Sequence, residues 1–193
     1  LNSKSISVVY FLLLITELIG EYLIFVSENG LLVFISKPLL MICLMFLAFH
    51  SNQKTKILHF NLLFFALLFS MFGDIALMFL PYFEGVFIIG LGCFLVAHLF
   101  YIWLFTKPAK SKIYVNPFFI ILPLIYGVYL IYYLFQQNTQ AFVKMQIPVI
   151  IYAGVILLML IAALHRHQRV SINSFKWVAV GAILFVLSDT MIA

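Results

Sequence analysis

"FNLLFFALLFSMFGDIALMFL", residues 60–80, holds a single charge, Asp74. An apolar run of about 20 residues, rising about 1.5 Å per residue as a helix, crosses the ~30 Å hydrocarbon core of a bilayer. One carboxyl group inside such a span costs about 2.5–3.5 kcal/mol on insertion scales. A chain that keeps it there uses it, as a bond to a neighbouring helix or as chemistry. The same isolation recurs near the end, in "LFVLSDTMIA", around Asp189, and these are the only two aspartates.

The texture of that stretch is the texture of the whole chain. Of 193 residues, 66% are hydrophobic and 9% charged, with a mean hydropathy of +1.20. A soluble domain of this length cannot bury so much apolar surface, so the fold class is all-α, a polytopic transmembrane helix bundle forming one domain over residues 1–193. Seven spans are expected at roughly 6–26, 31–49, 60–80, 86–105, 116–135, 147–164 and 177–193. The first is read as a retained helix, because no small-residue cleavage site follows a short apolar core. Cys43 and Cys93 fall inside spans and suggest no disulfide framework. The net charge of +5 is no nucleic-acid signal, since the basic residues are scattered over short loops.

Their placement assigns the topology. Lys4 precedes the first span; Lys54 and Lys56, then Lys107, Lys110 and Lys112, then Arg166, Arg169 and Lys176 mark alternate loops. The intervening loops hold Glu28, Glu84 and only Lys144. By the positive-inside rule the N-terminus and the basic loops are cytoplasmic. The expected location is a cell membrane, the inner one if the chain is bacterial. Scarce Arg beside abundant Lys, Phe and Ile points that way.

The ionisable groups inside spans are Glu17, Glu21, Lys37, Asp74, His98 and Asp189. At the helical rise, Lys37, Asp74 and Glu21 lie roughly 8–9 Å from the outer face, Asp189 roughly 12 Å, Glu17 roughly 14 Å and His98 roughly 18 Å. Five helices thus bring polar groups to the outer half or the midplane. Gly90, Phe94, His98 and Tyr101 share one helical face, as do Tyr152, Ile156, Met159 and Ala163; Gly181, Phe185 and Ser188 line up beside Asp189. Ser70 and Asp74 are i,i+4, as are Glu17 and Glu21. The plainer readings are interhelical hydrogen bonding for the acids and His98, interface anchoring for Lys37, and solvation for His165 and His167 in "HRHQR". Four acids against one lysine need protonation or a bound cation. Two carboxylates in different environments can divide into an acid and a base. One histidine in the spans is too few for a zinc hydrolase, so no metal and no cofactor is expected. "ALLFSMFGD" and "AILFVLSD" also echo each other faintly, as a parallel repeat offset by four spans would.

"KPLLM" at 37–41, "FSMFGDIAL" at 69–77, "FLVAHLFY" at 94–101, "YAGVILLMLIAA" at 152–163 and "GAILFVLSD" at 181–189 together resemble the YhhN family of membrane proteins, which includes the animal lysoplasmalogenases. The resemblance runs in order from Glu17 to Asp189. It implies eight spans, so a last one is expected beyond Ala193. It also implies hydrolysis of the vinyl-ether bond of a lysoplasmalogen, giving a fatty aldehyde and a glycerophospho-alcohol. Asp74 and Asp189 then become the catalytic pair, with either as the acid. Lys37 meets the phosphate, and His98, Tyr101 and Tyr152 orient water or a carboxylate. Ser70 and Ser188 complete the substrate-binding candidates, and Glu17 and Glu21 are supporting acids. The partner is a membrane lipid, not nucleic acid. The rival readings are a proton- or cation-coupled transporter or flippase, which predicts broken helices, and a non-catalytic lipid-binding protein.

Overall fold

In lipid every backbone N–H and C=O must find its partner within the segment, and a chain of apolar runs meets this by forming helices. The computed structural model describes residues 3–27, 31–83, 85–107, 115–137 and 140–190. Seven helices follow in order: α1 (Ser3–Ser27), α2 (Leu31–Thr55), α3 (Phe60–Met78), α4 (Val86–Thr106), α5 (Phe118–Gln137), α6 (Gln140–Leu164) and α7 (Ile172–Thr190). Among the described residues there is no strand, and α2 to α7 each contain a segment long and apolar enough to cross a membrane. The protein is a multi-pass helical membrane protein. Glu28, Glu84, Lys110, Lys112 and Ala193, named above for topology and chain end, lie outside the described residues.

Three helix ends differ from the hydrophobic spans. Helix α2 continues from the expected 49 to Thr55, α6 begins at Gln140 instead of 147, and α7 at Ile172 instead of 177. Hydropathy marks where a helix enters lipid. It does not mark where the helix ends, and "HSNQKT" or "INSFK" are acceptable helix formers in the headgroup region. The α2–α3 link is instead fixed by local bonds. Ile57 N–H donates to Asn52 Oδ1 at 2.8 Å, and Lys56 and His59 take left-handed backbone angles, φ 46° and 57°. Pro38, Pro123 and Pro148 lie within α2, α5 and α6, which continue through them.

The chain forms two compact units, Leu1–Ala97 and His98–Ala193, with the boundary inside α4. In the first, α1 packs on α2 and α2 on α3. Gly73 of α3 and Gly90 of α4 allow close approach: a Cβ on Gly73 would stand 2.7 Å from the Phe94 ring, and one on Gly90 2.9 Å from Leu77. In the second, α5 packs on α6 and α6 on α7, around a core that includes Phe105, Ile156, Met159, Ala163, Ala182 and Val186. Large apolar side chains such as Phe11, Leu18, Phe118, Val128 and Trp177 are exposed, as expected when lipid is the surrounding solvent.

Candidate active site

In the first unit the polar residues of α1 and α2 meet. Gly20 makes this possible: a Cβ there would come within 2.9 Å of Val33, so the helices approach closely beside Glu17 and Glu21. Glu17 and Ser36 are buried. The Ser36 hydroxyl stands between Glu17 Oε2 and the Leu32 carbonyl oxygen. Lys37 Nζ donates to Glu21 Oε1 at 3.0 Å and lies 3.6 Å from Glu17 Oε1. On α3, Asp74 is half-buried and near enough for its charge to act on Lys37. Ser70, one turn earlier, is buried, and its Oγ has no hydrogen-bond partner among the described residues. The lysine expected to meet a phosphate is thus already held by two carboxylates. An ammonium so paired offers little net positive charge to an incoming anion until one acid yields.

The second unit gathers a different set. His98 is fully buried, at 0% exposure. Its ring meets Tyr152 edge-on at 5.4 Å and Phe185 at 5.0 Å. The Tyr152 hydroxyl donates to Asp189 Oδ2, so α4, α6 and α7 contribute to one cluster. Next to it Thr190 gives its proton to the Val186 carbonyl at 2.7 Å. The Tyr126 hydroxyl, 2.6 Å from Thr190 Oγ1, is therefore the donor in that pair. Tyr101 stacks on Phe105, with centroids 5.8 Å apart, and packs against the core. No other acid lies in residues 98–193, and Asp189 makes no ion pair among the described residues.

The faces expected for α4 and α6 are the buried ones: Gly90, Phe94 and His98, then Ile156, Met159 and Ala163. The face expected for α7 is corrected in part: Phe185 is half-buried and meets His98, but its two companions are not inward. Ala179, Ala182 and Val186 turn inward, while Gly181 and Ser188 are exposed, so the structure does not bring Ser188 into the cluster. Ser36, Tyr126 and Thr190 were not singled out from the sequence. Thr190 adjoins Asp189, and Ser36 lies one turn before Leu40 among apolar residues beside Lys37. Tyr126 is one of ten tyrosines with no distinguishing neighbour.

The "HRHQR" turn is corrected too. His165 and His167 are half-buried, not solvated. Their rings pack on Phe119, each at 6.0 Å, and His167 meets Phe175 at 5.0 Å. A cavity of about 470 Å³ lies between the ends of α2 and α3, lined by Leu47, His50, Lys54, Ile57, Leu63 and Leu67 among others. It is at the opposite end of α2 from Lys37 and contains none of the candidate residues. Among the described residues, no group of three or more His, Cys, Asp or Glu could hold a metal ion.

The sequence model of the YhhN family matches residues 32–193. The chain belongs to the YhhN family. The family match covers α2 to α7, and with them Lys37, Ser70, Asp74, His98, Tyr101, Tyr152, Ser188 and Asp189. It does not reach Glu17 and Glu21, from which the resemblance was expected to begin. No curated protein and no solved structure matches this YhhN-family chain.

Proposed function

We propose that this YhhN-family protein is a multi-pass hydrolase of a cell membrane, the inner one in a bacterium, acting on lyso-ether lipids and cleaving the vinyl-ether bond of a lysoplasmalogen. The observation that carries the reading is the cluster of Asp189, Tyr152 and His98. It is a half-buried carboxyl group in an apolar unit, held by a tyrosine hydroxyl whose ring packs on a buried imidazole.

A vinyl ether breaks by protonation at the vinyl carbon β to its oxygen, which leaves an oxocarbenium ion at the carbon bonded to that oxygen. Water adds to the cationic carbon and loses a proton. The hemiacetal then collapses, releasing the fatty aldehyde and the glycerophospho-alcohol. The scheme needs one proton donor and one acceptor and consumes one water. Asp189, with no ion pair among the described residues, suits the donor. Tyr152 holds its Oδ2, and the transferred proton is assigned to Oδ1. Asp74 suits the carboxylate that stabilises the cation and takes the proton from water. Lys37 meets the lipid phosphate by exchanging Glu21 for it, as a point charge. Helices α5 and α6 continue through Pro123 and Pro148, which removes the support that broken helices would lend to a carrier.

The test offers alkenyl-, alkyl- and acyl-lysophospholipids to the purified full-length protein and follows aldehyde release. Aldehyde from the alkenyl lipid alone is the expected result. Release of fatty acid from the acyl lipid, or no turnover of any lipid, overturns the proposal.

A further inference from the structure

The turn between α6 and α7 carries charges that nothing in the proposed hydrolysis uses. Arg166 Nε, Arg169 Nε and His167 Nδ1 are all buried and make no hydrogen bond among the described residues. Arg169 as a whole is only 9% exposed. Arg166 is partly satisfied: Nη2 donates to Ser174 Oγ at 3.2 Å, and the guanidinium lies 5.3 Å over the Phe105 ring. Burial, with Arg169 close by, lowers the Arg166 pKa from its ordinary value. A buried guanidinium beside a second one is costly unless an anion accompanies them.

Neighbouring sequence supplies none. No acid occurs between Glu84 and Asp189, and Asp189 is at the far end of α7, about 26 Å away at the helical rise. The turn also precedes the first turn of a 19-residue helix, whose free N–H groups add partial positive charge. Ser171 Oγ accepts from Ser174 N at 3.4 Å there, and Lys176 follows one turn on, exposed. His165 takes no part, its Nδ1 being bonded to the Ile161 carbonyl at 2.8 Å.

We infer that the α6–α7 turn, through Arg166, Arg169 and His167, is a binding site for a phosphate group. Arg166 Nε, Arg169 Nε and His167 Nδ1, buried on one turn without partners among the described residues, are of the chemistry that binds an oxyanion. The planar guanidinium fork pairs with phosphate through parallel bonds. The phosphate can belong to a phospholipid headgroup at the membrane surface or to free phosphate in solution. The charge asymmetry of the loops assigns this end of the helices to the cytoplasm.

The test measures thermal unfolding of the full chain in a phosphate-free maltoside detergent and buffer, in three arms. One adds inorganic phosphate, one adds phosphatidylglycerol, and one adds neither. Wild type is expected to be stabilised in at least one of the first two arms, the phosphate arm indicating a soluble ligand and the phosphatidylglycerol arm a headgroup. Arg169→Gln and Arg166→Lys should weaken the apparent affinity roughly tenfold, one guanidinium fork being removed from each. Lys54→Gln, a basic residue outside the α6–α7 turn, should leave it unchanged. No stabilisation in either arm overturns the site, and so does a response of equal size in Arg166→Lys, which keeps the charge and the fold. Aldehyde release is not the readout, so failure here is distinct from failure of the proposed hydrolysis.

Discussion

The two units treat a buried carboxyl group in opposite ways. In Leu1–Ala97, Glu17, Glu21 and Asp74 share one lysine, Lys37, and the cluster neutralises much of its own charge. In His98–Ala193 the single acid, Asp189, is held by a tyrosine hydroxyl and makes no ion pair among the described residues. The helices that carry the aspartates are otherwise alike. Aligned on Ala66 and Ala182, the pieces place Phe69 with Phe185 and Ser70 with Val186, and both members of the alanine and Ser70–Val186 pairs are buried. Asp74 then falls one position later than Asp189, a rotation of about 100° around the helix. Similar helices can thus present their acids to different surroundings. An ion-paired carboxylate suits charge stabilisation and an uncompensated one suits proton donation.

The division of roles is broken or sharpened first by the aspartates. Asp189→Asn keeps an acceptor for Tyr152 and removes the transferable proton, so aldehyde release should fall about 10³-fold with the fold intact. Asp74→Asn should fall as far. If either variant keeps wild-type turnover of the alkenyl lipid, that aspartate has no part in the proposed reaction. Next come the glycines of the two aspartate helices. Gly73→Ala presses a methyl group on the Phe94 ring and should cost about 1–3 kcal/mol. Gly181 has open space beside it, so Gly181→Ala should change stability by no more than about 0.5 kcal/mol. Thermal unfolding in one detergent measures both, and equal losses would contradict the packing difference. Tyr152→Phe leaves the ring against His98 but frees the Asp189 carboxyl; turnover should drop about tenfold, with about 1 kcal/mol lost from stability. The smallest effect belongs to Glu21→Gln. Half-exposed Glu21 contributes about 0.2–1 kcal/mol through its pair with Lys37, and releasing the lysine should lower KM for the lysophospholipid with kcat little changed. A raised KM would mean that Lys37 needs Glu21 to be positioned.

How much was legible depended on whether polarity contrasted with its surroundings. The spans were legible because lipid demands long apolar runs, and Asp74, His98 and Asp189 stood out against them. The buried faces of α4 and α6 followed from Gly90, Phe94 and His98 and from Ile156, Met159 and Ala163, where size and polarity recur at helical spacing. On α7 the same argument placed Gly181 and Ser188 inward, and the structure turns Ala182 and Val186 inward instead. A helix facing lipid on one side and protein on the other has no polar face to orient it, so small residues indicate little about direction. In "HRHQR" the error was of another kind. Charge was read as a mark of solvent, but Phe119, Phe175 and Phe105 supply ring surfaces against which His165, His167 and Arg166 pack.

By itself the sequence determined that the chain is helical, that it crosses a membrane several times, and which few ionisable groups are held in lipid. Those follow from transfer free energies, which depend on composition and on stretches of about 20 residues. Tertiary structure alone decided the partners: Lys37 with Glu17 and Glu21, Tyr152 with Asp189, and Arg166 beside Arg169. Partner choice depends on the rotation and close approach of helices distant in sequence, set at Gly20 and Gly73 by what a single methyl group would displace.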